Sequence, residues 1–117
     1  QRLSRGLGDV YKRQGLLQHK MESFIQVKII GKSMEPAMKD GDSFIFDTSL
    51  SEFPQLNDIV LIKHPFIKKK NLVKRVKNIH SDGSIFVEGD NKYKSTDSRT
   101  FGSVKENQIL GILKMDN

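Results

Sequence analysis

The chain predicts a compact, mostly β domain with one short helical turn, and three observations carry that expectation. Several segments alternate in hydrophobicity at a period of two or run through β-branched and aromatic residues. Turn-forming clusters such as Ser81-Asp82-Gly83 separate them. Only residues 33–40 offer a helical candidate. Taken in order, residues 24–30 set Phe24, Gln26, Lys28 and Ile30 against Ile25, Val27 and Ile29, the pattern of a strand buried on one side. Residues 33–40 follow, with Ser33 able to cap a turn that has Pro36 near its start, and Asp40-Gly41-Asp42 ends it. Further strands are expected at 43–47, 58–64, 72–80, 84–88 and 108–115. The 81–83 turn reads as a tight hairpin, whereas 48–57 and 91–103 read as longer loops of the kind that carry function.

At 117 residues the chain has room for one domain with a modest core. Its 29% charged and 36% hydrophobic residues describe an ordinary globular protein. With no cysteine, disulfide frameworks, thiolate metal sites and cysteine nucleophiles are excluded. No apolar run reaches the ~18–20 residues that cross a bilayer, and no secretory leader is visible. The expected location is therefore cytoplasmic, or membrane-associated if an anchor preceded Met21. Residues 1–14, QRLSRGLGDVYKRQ, resemble a translated adapter, so residues 1–20 are expected to form a leader outside the fold and 21–117 a single domain. Half of the net charge of +6 lies in residues 1–14, and the rest holds 16 Lys and Arg against 13 Asp and Glu. That balance gives little support for a nucleic-acid partner.

The chemistry begins at Gly31-Lys32-Ser33-Met34-Glu35-Pro36. A serine at a strand-to-turn junction is exposed, and its backbone can offer an amide hydrogen to a developing oxyanion. Taken alone, such a serine is more often a simple cap. It needs a base, and His19, His64 and His80 lack a carboxylate in a triad context. Lysine is the alternative. In Asn71-Leu72-Val73-Lys74-Arg75-Val76, alternation puts Lys74 on the face of Leu72 and Val76 and so points an amine inward. Burial disfavours an ammonium, whose ordinary pKa is ~10.4, and leaves a neutral amine able to accept a proton. The ordinary fate of a strand lysine is to reach solvent instead. Lys68, Lys69 and Lys70 read as a solvated basic loop.

A third block follows: Gly89-Asp90-Asn91, then Ser95-Thr96-Asp97-Ser98-Arg99, then Phe101-Gly102. With GKSMEP, GD and LVKRV ahead of it in the same order, the chain resembles the bacterial type I signal peptidase family from Val27 to about Ile112. The resemblance implies a signal-peptidase or LexA-like β-domain with Ser33 as nucleophile and Lys74 as general base, the two within hydrogen-bond reach. Ser95 matches the serine that orients the lysine amine. Asp97 and Arg99 match a bracing ion pair, with Arg75 expected close by, and Asp90 and Asn91 hold the loop. Gly31 stands where some members carry a serine or threonine that helps bind the oxyanion, which leaves that task to the Ser33 N–H. Met34 is a candidate for the pocket wall.

Large members of the family insert a second β-domain after the lysine strand, whereas here only about a dozen residues separate Lys74 from Gly89. This compactness makes the chain similar to the nickel-type superoxide dismutase maturation proteases. The resemblance thus implies a serine endopeptidase that removes a short N-terminal propeptide, with a protein or peptide as its partner. It implies no cofactor and no nucleic acid. Three other readings stay open: a truncated, membrane-anchored signal peptidase, a LexA-type repressor peptidase, and a noncatalytic β-domain binding peptide or nucleic acid through Lys68–Lys70.

Overall fold

The computed structural model describes residues 23–114. The expected leader and residue 115 lie outside them. Six strands form one antiparallel sheet: β1 (Phe24–Lys28), β2 (Ser43–Asp47), β3 (Ile59–Lys63), β4 (Asn71–Ile79), β5 (Ile85–Glu88) and β6 (Ile109–Leu113). Their order across the sheet is β1-β2-β6-β3-β4-β5. Each corresponds to a strand expected from the sequence, trimmed or shifted by one or two residues where turns take over. Gln108, for example, belongs to a 3-10 turn at Glu106–Gln108 rather than to β6.

The apolar run of β3 explains the packing. Val60 and Ile62 enter a cluster with Val76, Ile85, Val87, Val104 and Ile109. Their neighbours Ile59 and Leu61 enter a second cluster, with Ile29, Met34, Met38 and Phe46. Successive strand side chains point to opposite faces, so four consecutive apolar residues signal a strand covered on both sides. β3 is therefore the wall between two cores. β2 meets β6 through only two residue pairs, Phe46 with Leu113 and Asp47 with Ile112.

The segment between β1 and β2 carries Ser33. It is closed at its base by the Ile29 N–H on the Asp42 carbonyl and the Gly41 N–H on the Ile29 carbonyl, both 2.8 Å. Met34 and Met38, each 1% exposed, anchor it in the second core. The expected helical turn is a single turn closed by the Met38 N–H on the Met34 carbonyl at 2.9 Å, not a regular helix. Gly31, with φ of +94°, precedes it, and the cis Glu35–Pro36 bond lies within it. The 91–103 segment, expected as a loop, contains a one-turn helix, α1 (Ser98–Phe101). Asp97 caps it by accepting the Arg99 N–H, the role Asp favours at a helix start.

β1 and β5 are the sheet edges. The β5 edge is covered at Ile85, which exchanges hydrogen bonds with Val104. On β1 the outward side chains include Lys28, a charge of the kind that protects an open edge. Because Phe46 is fully buried beneath the Ser33 segment, Phe46→Ala is expected to destabilise the domain by about 3–5 kcal/mol. Urea unfolding followed by circular dichroism measures this.

Candidate active site

The site is assembled from β4, the Ser33 segment and the loop running from β5 into α1. On β4, Lys74 lies opposite Val60 of β3 and is 2% exposed. Its Nζ donates to Ser95 Oγ at 3.1 Å. Burial lowers the Lys74 pKa from 10.5 to about 8; the Asp97 carboxylate opposes the shift, while the Arg99 and Lys70 charges reinforce it. A substantial neutral fraction is thus present at mildly alkaline pH.

The direction of each hydrogen bond follows from one proton. Ser95 Oγ donates to Asp97 Oδ2 at 2.6 Å, so the hydroxyl presents only lone pairs to Lys74, and the amine must donate to it. This fixes the rotation of the amine head. Asp97 is fully buried and receives five donors: the Gly89 N–H, Ser95 Oγ, the Arg99 N–H, and Arg99 Nε and Nη2. Burial alone would raise its pKa, but the bonds from Arg99, Ser95 and the Gly89 amide prevail and hold it well below the usual carboxylate range. The Asp97–Arg99 pair at 2.8 Å, with Arg99 partly exposed, is therefore a brace anchored in the interior.

Gly89, Asp90 and Asn91 tie this network to Ser33. The Asn91 N–H donates to the Ser33 carbonyl at 2.8 Å, and Asn91 Nδ2 to the Lys32 carbonyl at 3.0 Å. The Asp90 N–H meets Met34 Sδ at 3.4 Å. A Cβ on Gly89 would collide with the Ser95 side chain and lie 2.7 Å from the Ser33 carbonyl oxygen. The backbones of the serine segments can approach so closely only because position 89 is glycine. This packing role of Gly89 is invisible in the sequence, because close approach of distant segments leaves no local pattern.

Ser33 is half-buried. It lines, with Lys74, Gly31 and Met34, a cleft of about 630 Å³ that runs along β1 and the start of β4. Its hydroxyl makes no hydrogen bond with a described residue, so it does not act as a cap. Among the described residues no acceptor faces the Ser33 N–H. The Gly31 N–H, by contrast, is taken by Asp40 Oδ1 at 2.7 Å. The expected direct bond between Ser33 and Lys74 is not made here: the amine's partner is Ser95. Such contacts often tighten only when substrate seats.

Alternation on β4 turns Arg75 to the face opposite Lys74, where it forms a two-pronged pair with Asp90, both bonds 2.8 Å, and donates to the Asn57 carbonyl. It supports the loop through Asp90, the residue after the Gly89 amide that binds Asp97. His64 accepts the amides of Phe66 and Ile67 and His80 pairs with Ser103. Neither histidine lines the cleft, and His19 lies outside the described residues. Among the described residues, no group of three or more acidic or histidine side chains is placed to hold a metal, and no helix is long and apolar enough to cross a membrane.

Two substitutions should move stability in opposite directions. Asp97→Asn presents an amide nitrogen to some of the five converging donors and leaves Arg99 without its counter-charge, an expected loss of about 3–5 kcal/mol. In the parent, this carboxylate's stabilisation is present above pH ~4 and is lost as pH falls through its lowered pKa. Lys74→Met instead removes a buried ammonium whose depressed pKa corresponds to about 3 kcal/mol at neutral pH. Between pH 8 and 10.5 the unfolded chain holds the Lys74 proton more tightly, so parent stability rises with pH there. Urea unfolding should find Lys74→Met the more stable at pH 6, with the advantage shrinking toward pH 10.

Comparison with known proteins adds an independent finding. The sequence profile described as "Signal peptidase, peptidase S26" matches residues 17–82 and 77–116. The mitochondrial inner membrane protease subunit 1 of Homo sapiens is 33% identical over 103 residues, covering 69% of this chain and 61% of that protein. Subunit 1 of Xenopus tropicalis is 30% identical over 102 residues, with the same coverage. Subunit 2 of Saccharomyces cerevisiae is 35% identical over 72 residues, covering 47% of this chain and 41% of that protein. The chain spans about 61% of the length of the subunit 1 relatives.

Proposed function

The chain belongs to the signal peptidase family S26, and on that premise we propose that it is a serine endopeptidase in which Ser33 attacks and Lys74 accepts the proton. One observation carries the reading: a lysine buried on a strand, with its pKa lowered to about 8, is held by Ser95 at the cleft that Ser33 lines. A noncatalytic β-domain has no need of this arrangement, which costs stability.

In the proposed reaction, Ser33 Oγ adds to the scissile carbonyl carbon while its proton passes to the neutral Lys74 Nζ. The oxyanion forms against the Ser33 N–H. Collapse breaks the C–N bond, and Lys74 returns the proton to the leaving amine. A water then gives a proton to Lys74 and attacks the ester carbon; collapse breaks the bond from that carbon to Ser33 Oγ, Lys74 returns the proton to Oγ, and the new carboxyl terminus is released. Ser95 and Asp97 are positioning residues, acting through the amine. Gly31 at φ +94° sits in a backbone region that side chains rarely adopt, so the hydroxyl found there in some family members would bring strain.

Substrate enters as an extended segment beside β1, the sheet edge that borders the cleft. Main-chain bonds then supply affinity, and pockets at alternate positions supply selection. For substrate identity we propose the N-terminal propeptide of a nickel-type superoxide dismutase. The short β4–β5 connection, with no inserted domain between Lys74 and Gly89, supports it. The alternative is the cleavage of membrane-delivered preproteins, which the likeness to inner membrane proteases favours.

Ser33→Ala and Lys74→Ala should each abolish cleavage in a folded protein. Lys74→Arg should do so as well, since a guanidinium stays protonated. Activity in the parent is expected to rise with pH through about 8, because deprotonation of Lys74 creates the base. Full activity of folded Lys74→Arg would identify another base. Incubation with a nickel superoxide dismutase precursor and with a signal-peptide-bearing preprotein, followed by sequencing of new amino termini, separates the substrates. Cleavage of the preprotein alone would remove the nickel assignment and leave the Ser-Lys mechanism intact.

A further inference from the structure

Building on the peptidase reading above, we propose that the cleft selects extended peptides carrying acidic residues on both sides of the scissile bond. Five lysines line the cleft, and no aspartate or glutamate does. Lys74 is the buried one. The other four, Lys28, Lys32, Lys70 and Lys94, are exposed, and none forms an ion pair with a described residue. They come from four separate segments: the end of β1, the Ser33 segment, the approach to β4, and the loop after Asn91. A solvated run on a single element would not encircle an opening in this way.

The rest of the chain sharpens the contrast. Residues 15–117 carry a surplus of only three positive charges. Outside the cleft, acidic residues in this stretch outnumber basic ones. The positive field is thus concentrated where a substrate would lie, and a cleft with low-dielectric walls focuses such a field. Those walls are apolar, formed by Ile25, Val27, Ile29, Leu61, Leu72 and Val73. They suit small apolar side chains at the centre of a bound strand, with carboxylates reaching outward to the lysines at the rim.

The placement follows from the chemistry of Lys74. A substrate carboxylate next to its amine would stabilise the ammonium and remove the base. The acidic positions therefore flank the scissile bond at a distance, where side chains of the bound segment reach Lys28, Lys32, Lys70 and Lys94 rather than Lys74.

The test uses three peptides with a common Ala-rich centre and Glu, Gln or Lys at the flanking positions. Binding is read by fluorescence anisotropy on Ser33→Ala, and kcat/KM on the parent protein. Glu peptides should bind most tightly and Lys peptides least, by about two- to fivefold per charge, with the spread collapsing as salt is raised. The double variant Lys70→Glu, Lys94→Glu, which takes the rim from four positive charges to a balance of two and two, should abolish the order. Equal affinities for the Glu and Lys peptides, or an order unchanged by the double variant, would overturn the proposal. So would phosphatidylglycerol vesicles binding through these lysines while the peptides show no charge preference. Discriminating binding without cleavage of any peptide keeps the cleft selectivity and defeats the peptidase reading. Cleavage without charge preference does the reverse.

Discussion

The Asp97 carboxylate is the constraint on which the rest of the site depends. A buried anion is tolerable only when its hydrogen-bonding capacity is filled, and five donors fill this one. Each of those bonds has a structural result. The Gly89 amide fixes the end of β5, the Arg99 amide starts α1, the guanidinium closes the outer side, and Ser95 is turned so that only its lone pairs meet Lys74. Protonating or replacing Asp97 would release all of these together.

The same network explains how an amine can be buried near neutrality at a tolerable cost. Lys74 loses hydration among the side chains around β3 and β4, and that loss lowers its affinity for a proton, so that a larger share of the amine is neutral near pH 8. Asp97 acts at one remove, through a hydroxyl, so it orients the amine without pairing directly with it and restoring its full affinity for a proton. Stability is given up at Lys74, the position to which the proposed reaction assigns the base, a trade common at functional sites. The Arg75–Asp90 pair on the opposite face and the Asn91 bonds to the Lys32 and Ser33 carbonyls hold the second half of the site at its distance from the first.

Much of the fold was legible in local pattern. Alternation or apolar, β-branched runs bounded by turn residues located all six strands, and the inward phase of Leu72, Lys74 and Val76 placed the lysine in the interior. The ordered motifs brought Ser95, Asp97 and Arg99 to the right neighbourhood. What escaped depends on contacts between segments far apart in sequence. Nothing local says that Arg75 meets Asp90 across β4 and β5, or that Gly89 must be bare because Ser95 and the Ser33 backbone crowd it. α1 had a signal in Asp97-Ser98, a favourable cap, but one turn is too short to show helical periodicity. The single turn after Ser33 stayed short of a helix because Met34 and Met38 are drawn into the second core while Asp40 and Asp42 close the segment back toward β1. Charge around the cleft was illegible for the same reason, its lysines being scattered along the chain.

The covering of β5 by Val104 has a consequence for the protein in bulk solution. With β5 bridged to Val104, β1 is the edge strand of the described sheet that has no strand or bridge beyond it, and it borders the cleft. The surface suited to receiving an extended segment is then also the one through which two molecules could zip together at high concentration. Occupancy of that surface by a peptide should act as a colloidal stabiliser, and preparations kept free of such peptides should be the first to cloud. Solubility is in this sense tied to one strip of backbone, with Lys28 standing on it as a gatekeeper against self-association.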